Sequence, residues 1–290
     1  GRRERRLRGR VRILIPRGTL GPTPPDAPAQ ATLIPPADDA PARTLHREPL
    51  APEPPAPPAP PQPGPAASGY IRQSTLGQGG VGIVHLAVQE CLGRPVALKS
   101  VRPDADRPAV RRSLLQEAHA AAAVEHPNIV PVYDLAQGAA GPEVVMRRIE
   151  GAVWTDYLVD PDRIARDFGA RDPLDWHIGV LSQVCNAIHF AHSRGILHRD
   201  LKPDNVMIGS FGEVYVLDWG LAVRLDARGP QAVALAAQDH RLVGTPRFMP
   251  PEMVARDGTQ LGPHTDIYLL CGLLYTVLNR RPPHGGETIE

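Results

Sequence analysis

The segment that decides the fold is His198-Arg199-Asp200-Leu201-Lys202-Pro203-Asp204-Asn205. In it an aspartate is followed by a lysine two residues later and by an asparagine five residues later. A carboxylate can accept the proton of an incoming hydroxyl, and an ammonium group can neutralise a phosphoryl group in transfer. An amide oxygen is a suitable ligand for a hard cation. The spacing therefore predicts a phosphoryl-transfer loop built on Asp200, Lys202 and Asn205.

A second oxygen ligand follows downstream in Asp218-Trp219-Gly220, at the end of a predicted strand. The chain from Asn205 to Asp218 is long enough for one tight β-hairpin, which would bring both side chains beside a single metal ion. Carboxylate and amide oxygens suit Mg²⁺. We therefore expect Asn205 and Asp218 to form a magnesium site.

A glycine-rich turn, Gly77-Gln78-Gly79-Gly80-Val81-Gly82, joins two predicted strands near the start of the folded region. Such a pattern is weak evidence alone, because glycines also simply make turns. Without Cβ atoms, however, the backbone can lie close to a polyphosphate and direct its N–H groups at it. A strand on each side distinguishes this turn from the dinucleotide-binding version, which leads into a helix.

The lysine content points to the same chemistry. Of the 32 basic residues only Lys99 and Lys202 are lysines, and the others are arginines. Both lysines fall where a compact ammonium group suits phosphate oxygens better than a planar guanidinium does. Lys99 ends the run Val96-Ala97-Leu98-Lys99 within the predicted strand Val96–Val101, and Lys202 lies in the loop described above. A surface lysine at a strand end is the plain alternative for Lys99, and the composition argues against it.

Hydrophobic periodicity predicts strands first and helices later, which is typical of an α+β protein with a small β-rich lobe and a larger helical lobe. The predicted strands are Tyr70–Leu76, Ile83–Val88, Val96–Val101, Val130–Leu135, Val144–Ile149, Val206–Ile208 and Val214–Leu217. The predicted helices are Ala109–Val124, Trp176–Ser193 and Ile267–Leu278, the last apolar nearly all round.

Residues 1–69 differ in composition from the rest of the chain. Of 34 prolines, 18 lie between Pro16 and Pro65. The sequence predicts an Arg-rich and then Pro-rich disordered tail, because it offers few large apolar groups to bury. The arginines near the start would either contact an anionic surface or form a solvated arm. The first residue is Gly1 rather than Met, which suggests a fragment or a processed product.

Overall charge and cysteine usage exclude several classes. The formal net charge is +1, so bulk electrostatics gives no reason to expect nucleic-acid binding. No apolar run reaches the roughly 18–20 residues that span a bilayer, and no secretory signal is visible. The three cysteines, widely spaced, suit a reducing cytosol, so we expect a cytoplasmic protein; a membrane anchor beyond Glu290 remains an open alternative.

Together these motifs resemble the eukaryotic-like (Hanks-type) serine/threonine protein kinases of bacteria, from about Tyr70 to Pro283. The resemblance implies a bilobal fold, with an N-lobe over 70–149 and a C-lobe over 150–290 that lacks its last helices. It implies transfer of the γ-phosphate of ATP, with Mg²⁺, to serine or threonine hydroxyls of protein substrates. Lys202 and Gly244-Thr245 favour serine/threonine over tyrosine acceptors.

The resemblance also assigns roles to individual residues. It gives Asp200 as the catalytic aspartate, Lys202 as the γ-phosphate lysine, Asn205 and Asp218 as Mg²⁺ ligands, and Lys99 paired with Glu117 at the α/β-phosphates. It gives Gly77, Gly79 and Gly82 over the phosphates, Met146 as gatekeeper, the backbone of Arg147 and Ile149 at adenine, and Val84, Ala97 and Met207 around the adenine ring. Pro250-Pro251-Glu252 resembles the Ala-Pro-Glu motif, and Asp266 the residue that anchors the catalytic loop.

Four features depart from the family pattern. Trp219 replaces a phenylalanine, and we expect its larger ring to fill space left by the small Ala121. The segment 221–243 has no Ser, Thr or Tyr, so we expect no phosphorylated residue in it to pair with Arg199. Asp239 or Asp226 would be the anion that pairs with Arg199 instead. We expect Thr245 to bond to Asp200 and Lys202. Where many relatives have an acidic residue that binds the ribose, this chain has Val153 or Trp154, and Asp156 is a weak candidate for that role. The missing last helices would leave apolar surface on the helix 267–278.

Two other functions remain open at this point. A pseudokinase that binds nucleotide or serves as a scaffold is the first alternative, but every charged catalytic position is occupied. A small-molecule phosphotransferase related to the aminoglycoside kinases is the second, but those enzymes lack the Lys202 spacing and the segment from Gly244 to Glu252. Transfer of labelled phosphate to a generic protein substrate separates the first alternative from the kinase.

Overall fold

The structure, a computed structural model, describes residues 69–138 and 141–285. Within these ranges the strands are β1 Tyr70–Gln78, β2 Gly82–Gln89, β3 Arg94–Val101, β4 Val132–Gly138, β5 Gly141–Arg147, β6 Gly151–Val153, β7 Ile196–Leu197, β8 Val206–Gly209, β9 Val214–Val216 and β10 Val223–Arg224. The α-helices are α1 Pro108–Ala123, α2 Trp154–Val159, α3 Asp162–Phe168, α4 Pro173–Ser193, α5 Pro251–Val254 and α6 Pro263–Asn279.

An antiparallel sheet in the order β1-β2-β3-β5-β4 forms the first part of the fold. Its register pairs Val84 with Lys99 and Ala97 with Met146. Directly opposed residues, and residues two apart on a strand, share a face of a sheet. Val84, Ala97, Lys99 and Met146 therefore lie on one face, as a common nucleotide surface requires. The opposite face buries Leu98 and other residues in a separate small core.

Helix α1 packs on that same face of the sheet. Leu114 and Ala118 of α1 are buried with Val144 of β5, and Met146 packs against this cluster. Proline at the first position of α1 suits a helix start, because its missing N–H would have no intrahelical partner there. This packing directs Glu117 of α1 toward β3.

The second part of the fold is helical and carries the largest core. Helix α4 packs against α6, and the core includes Val184 and Ile188 of α4 with Leu269 and Leu273 of α6. Asp172 caps α4, because its carboxylate accepts the backbone N–H of Leu174 and Asp175. Two small sheets, β6-β8-β9 and β7-β10, lie at the end of α4 and frame the loop that carries Asp200.

The α+β architecture predicted from the sequence is confirmed. Every predicted strand and helix from Tyr70 onward has an observed counterpart, with ends shifted by a few residues. The short elements α2, α3, α5, β6, β7 and β10 were not predicted. The predicted disordered tail, residues 1–69, lies outside the described residues except for Gly69.

Helix α6 is buried along most of its length but exposes Ile267 and Leu278. This fits the expectation of apolar surface on this helix. Among the described residues, no helix is both long and apolar enough to cross a lipid bilayer.

Two tryptophans are fully buried in the main core, and they differ in one polar contact. The indole N–H of Trp154 donates to Nδ1 of His177 at 2.9 Å. The indole N–H of Trp219 has no hydrogen-bond partner among the described residues. Trp219 lies edge-on to His198 with ring centroids 4.7 Å apart, and it shares the main core with Ala121. That its ring compensates for the small Ala121 stays a prediction.

This difference predicts unequal costs for the same substitution. Trp219→Phe leaves a cavity worth about 1–3 kcal/mol, but it also removes a buried unpaired N–H worth about 1–3 kcal/mol. Trp154→Phe leaves a cavity and also deprives His177 of its donor. We therefore expect Trp154→Phe to lower the free energy of unfolding by about 2 kcal/mol more than Trp219→Phe, as measured by urea titration. Equal losses would contradict this account of the indole N–H groups.

Candidate active site

The loop that carries Asp200 is held by one buried carboxylate on α6. Asp266 is fully buried, and its oxygens accept the backbone N–H of His198 and of Arg199, each at 2.9 Å. The side chain of His192, near the end of α4, also contacts Asp266 at 2.8 Å. Arg199 has a φ of +68°, a left-handed conformation that is costly for a side chain other than glycine. The bonds to Asp266 compensate for that cost, and the predicted anchoring contact of Asp266 is confirmed.

Asp200 is oriented by three neighbouring side chains. The ammonium group of Lys202 and the amide of Asn205 donate to Oδ2 of Asp200 at 2.8 and 2.9 Å. The hydroxyl of Thr245 donates to Oδ1 at 2.6 Å, and Lys202 donates to that hydroxyl at 2.8 Å. The predicted contact of Thr245 with Asp200 and Lys202 is therefore confirmed. Asp200 itself is buried. Another group can therefore reach its carboxylate only from the side that these three residues leave uncovered.

Lys99 joins the sheet to the second half of the site. Its ammonium group lies 2.5 Å from Oε1 of Glu117 on α1 and 3.7 Å from Oδ1 of Asp218. Burial acts to lower the pKa of Lys99, but the charges of Glu117 and Asp218 outweigh it and raise that pKa. Burial raises the pKa of Glu117, against the effect of the ammonium group. A lysine between two carboxylates stays positively charged at neutral pH.

Asn205 and Asp218 are brought together by the backbone. The N–H of Leu217 donates to the carbonyl of Asn205 at 2.8 Å, which places Asp218, the next residue, beside the loop. The amide nitrogen of Asn205 is bonded to Asp200, so its amide oxygen is the atom that faces away from these bonds. Burial acts to raise the pKa of Asp218, but Lys99 and His198 outweigh it and lower the pKa. Asp218 is therefore ionised at neutral pH.

This donor set fits Mg²⁺ rather than a metal held entirely by protein. No group of three or more His, Cys, Asp or Glu side chains among the described residues could hold a metal ion. Mg²⁺ commonly takes one or two protein oxygen ligands and fills its other positions with water and phosphate oxygens. One carboxylate and one amide oxygen, with Lys99 3.7 Å from that carboxylate, match that pattern.

In the glycine-rich turn between β1 and β2, neither steric crowding nor backbone conformation requires glycine at Gly77, Gly79 or Gly80. A Cβ on Gly77, Gly79 or Gly80 would meet no atom within 4 Å, and none of the three has a positive φ. Since the fold would accept larger residues here, the glycines leave room for something outside the chain. Gly82 lies over Lys99, with its Cβ position 3.5 Å from Cε of that lysine.

The residues expected around adenine lie at the junction between the two parts of the fold. Met146 and Arg147 end β5, and the N–H of Arg147 donates to Pro131. Ile149 follows in the connecting segment. Met207 on β8 pairs with Val153 on β6. Val84, Ala97, Ile149 and Met207 all belong to this junction or to the sheet face above it, and their contact with adenine stays a prediction.

Comparison with known proteins identifies the family. The family model described as "Protein kinase domain" matches residues 70–290. The chain belongs to this family. The kinase domain is 34% identical over 224 residues to "Serine/threonine-protein kinase PknD" of Chlamydia caviae, a match that covers 72% of this chain and 24% of the relative.

Similar matches are found to proteins of the same name from other bacteria. The relative from Chlamydia pneumoniae is 35% identical over 223 residues, with 72% of this chain and 24% of the relative covered. The relative from Protochlamydia amoebophila is 34% identical over 233 residues, with 74% of this chain and 23% of the relative covered. The chain thus spans about a quarter of the length of the curated relatives it matches.

The kinase domain has a fixed anion next to its catalytic loop. A guanidinium nitrogen of Arg199 lies 2.8 Å from Oδ2 of Asp239, and each side chain is 2% exposed. Arg241 also donates to both oxygens of Asp239. Of the two candidates from the sequence, Asp239 makes this contact, while Asp226 pairs with the exposed Arg228. The Arg199–Asp239 ion pair therefore connects the segment 221–243 to the loop that carries Asp200, and no phosphorylated residue is needed for this contact.

The charge of Asp239 is insensitive to pH over the physiological range. Burial acts to raise its pKa, but the hydrogen bond from Arg241 and the charge of Arg199 lower it to about 2. A carboxyl with a depressed pKa in the folded state contributes stability above its ordinary pKa of 3.8 and loses it as the pH falls through about 2. A phosphate in this place would change its charge near pH 6.

Two functional contacts were not anticipated from the sequence. Gln116 of α1 donates to the carbonyl of Ala222 at 2.8 Å, which couples α1 to the segment after Asp218. Thr155 of α2 donates to Asp204 at 2.9 Å. Neither residue belongs to a recognisable motif. Asp156, the weak candidate for ribose, lies 3.3 Å from Arg163 and is thus engaged in an ion pair.

The Arg199–Asp239 pair predicts a large effect for a small substitution. Asp239→Asn leaves the buried guanidinium without an opposing charge, and we expect a loss of about 3 kcal/mol in the free energy of unfolding. Kinase activity should fall about tenfold or more, because the catalytic loop loses its lateral support.

Asp226→Asn is the matched control for this variant. It removes a carboxylate from an arginine in the same segment, but that Arg228 side chain is 60% exposed, so the cost should be small compared with that of Asp239→Asn. Urea denaturation and initial rates of phosphate transfer measure both effects. Similar losses in the two variants would show that the burial of Arg199 is not what matters.

Proposed function

We propose that this chain is an active serine/threonine protein kinase domain that transfers the γ-phosphate of ATP to protein hydroxyls. The observation that carries the proposal is the position of Lys99, 2.5 Å from Glu117 and 3.7 Å from Asp218. This contact connects the sheet, the helix α1 and the candidate magnesium ligand around one opening. Family membership and the printed names of the relatives support it.

ATP is proposed to lie between the sheet and the helical part. Val84 and Ala97 would cover one face of adenine and Met207 the other, next to the gatekeeper Met146. The backbone of Arg147 and Ile149 would bond to the adenine edge. Gly77, Gly79 and Gly82 would let the turn approach the phosphates, and Lys99, held by Glu117, would bind the α- and β-phosphates.

Asn205 and Asp218 are the proposed ligands of Mg²⁺. When bound, the ion would neutralise charge on the β- and γ-phosphate oxygens. The low pKa of Asp218 keeps its carboxylate available for this role. Lys99, 3.7 Å away, keeps the carboxylate turned toward the phosphates of the nucleotide.

The reaction proposed for the site is a direct displacement. The substrate hydroxyl oxygen forms a bond to the γ-phosphorus while the bond from that phosphorus to the β–γ bridging oxygen breaks, and ADP leaves. The hydroxyl proton passes to the Asp200 carboxylate and from there to solvent. Lys202, bonded to Asp200 at 2.8 Å, is close enough to neutralise the phosphoryl group during transfer. Alignment and positive charge supply most of the acceleration.

Serine/threonine specificity and protein substrates are part of this proposal. The hydrogen bonds of Thr245 with Asp200 and Lys202 support the serine/threonine preference that Lys202 and Gly244-Thr245 indicate, and the printed names of the relatives agree with it. No nucleic-acid partner is proposed. A cytoplasmic location is proposed because the donor is ATP and Cys91, Cys185 and Cys271 are free thiols.

The pseudokinase alternative would require a defect that the charged residues do not display. Lys99, Asp200 and Asp218 each have the neighbours that phosphate transfer needs. A small-molecule phosphotransferase remains the other chemical class, and the match of residues 70–290 to the protein kinase family disfavours it.

Substitution of Asp200 and of Lys99 tests the proposal. Asp200→Asn and Lys99→Met should each abolish transfer of labelled phosphate to a generic protein substrate while the far-ultraviolet circular dichroism spectrum stays unchanged. Lys99→Arg keeps the charge, but a planar guanidinium does not fit between Glu117 and Asp218. We expect it to lose at least about 99% of the activity, equivalent to about 2.7 kcal/mol.

Arg112→Met is the control, since Arg112 is an exposed residue on the same helix as Glu117. It should retain the parent rate. Undiminished transfer by Lys99→Met or Asp200→Asn would refute the assignment of these residues, and absence of transfer by the parent chain would favour the pseudokinase.

A further inference from the structure

A large cavity opens directly beside the proposed acceptor site. Its volume is about 850 Å³, and it begins at Thr245, whose hydroxyl lies 2.6 Å from the Asp200 carboxylate. Its walls come from α2, the loop after Lys202, the loop after Thr245 and the end of α6. The lining residues are Thr155, Leu158, Val159, Pro161, Pro203, Asp204, Thr245, Pro246, Arg247, Phe248, Thr276, Arg280, Arg281 and Pro282.

The charge of this cavity is strongly one-sided. Three arginines, Arg247, Arg280 and Arg281, line it, and Asp204 is the one carboxylate among the described residues that do so. Asp204 already accepts a hydrogen bond from Thr155. The excess of positive charge contrasts with residues 70–290 as a whole, where acidic residues outnumber basic ones. The basic lining is therefore a local feature of this surface.

The arginines are held on structured backbone rather than on free loops. Arg280 ends α6 with a φ of +57°, and its guanidinium donates to the carbonyl of Leu158 in α2 at 2.9 Å. The loop after α6 is fastened to the loop after Thr245, because the N–H of His284 donates to the carbonyl of Arg247 at 3.1 Å. Arg247 and Arg281 also line an adjoining cavity of about 300 Å³. The two cavities therefore share Arg247 and Arg281 in their walls.

Arg281 forms no ion pair with a carboxylate among residues 69–138 and 141–285, and its side chain is exposed. An arginine in this position is able to bind a carboxylate through two parallel hydrogen bonds. Apart from three threonines and Asp204, the remaining lining is apolar, with Leu158, Phe248 and several prolines. A bound group must therefore combine negative charge with a chain that covers apolar surface, which describes an acidic peptide better than a free anion.

We propose that this cavity binds acidic residues next to the acceptor serine or threonine, so that the kinase prefers acidic protein substrates. The proposal rests on the proposed kinase function and deepens it. Arg281 and its neighbours Arg247 and Arg280 determine the specificity, while Asp200 and Lys202 act on the hydroxyl. Because these ion pairs are partly exposed, they select the substrate mainly through binding and association rate.

Three fluorescent peptides with one acceptor serine in the same register test the proposal. Their flanking positions carry aspartate, asparagine or lysine. Fluorescence anisotropy without nucleotide measures binding to the intact chain, and initial rates with ATP and Mg²⁺ measure kcat/KM. We expect the aspartate peptide to bind about 5- to 10-fold more tightly than the asparagine peptide, as two or three partly exposed ion pairs would give. The preference should shrink at high salt.

Arg281→Glu provides the decisive variant, and Arg171→Glu is its control. Arg171 is exposed, and it does not line the cavity, so both variants change the net charge equally. Arg281→Glu should remove the preference for aspartate, mainly through KM, while Arg171→Glu should keep it. Arg171→Glu, whose residue lies outside the cavity, should phosphorylate the asparagine peptide at the parent rate.

The outcomes separate this proposal from the proposed function. Transfer to all three peptides without a preference for aspartate overturns the acidic specificity and leaves the kinase function standing. Tighter binding of the aspartate peptide without transfer to any peptide supports the cavity and refutes the kinase function. Equal behaviour of Arg281→Glu and Arg171→Glu overturns the role of Arg281.

Discussion

The candidate active site depends on one fully buried carboxylate, that of Asp266. Asp266, fully buried in α6, accepts the N–H groups of His198 and Arg199. These two bonds make the left-handed backbone at Arg199 possible, and that backbone sends three consecutive side chains in different directions. His198 reaches the carbonyl of Leu217 at 2.9 Å, Arg199 reaches Asp239, and Asp200 faces the opening. One buried charge thus positions His198, Arg199 and Asp200 together.

The sequence predicted the parts of this arrangement whose chemistry is local. The spacing of Asp200, Lys202 and Asn205 in the loop from His198 to Asn205 was sufficient to predict their proximity. The contrast between two lysines and many arginines indicated the importance of Lys99. Long elements were predicted well because α4 has a clear hydrophobic periodicity and α6 a continuous apolar run over many residues. The roles of the individual residues toward ATP and Mg²⁺ stay predictions, since they concern groups that are not part of the chain.

Other features could not be predicted because they depend on contacts between distant segments. The choice of Asp239 over Asp226 is decided by burial, and two aspartates in one irregular segment look alike in a sequence. The basic cavity assembles arginines from the loop after Thr245 and from the end of α6, more than thirty residues apart in the chain. Short elements such as α2 and β6 escaped prediction because a few residues show no clear periodicity.

The scarcity of lysine has a practical chemical consequence. Lys99 and Lys202 are the chain's two lysines, their side chains are 21% and 23% exposed, and both lie at the same opening. A reagent that acylates primary amines therefore finds its side-chain targets within the catalytic cleft, apart from the amino terminus. A ligand bound beside these two lysines should lower the extent of their acylation. The signal lacks the background that surface lysines give in most enzymes.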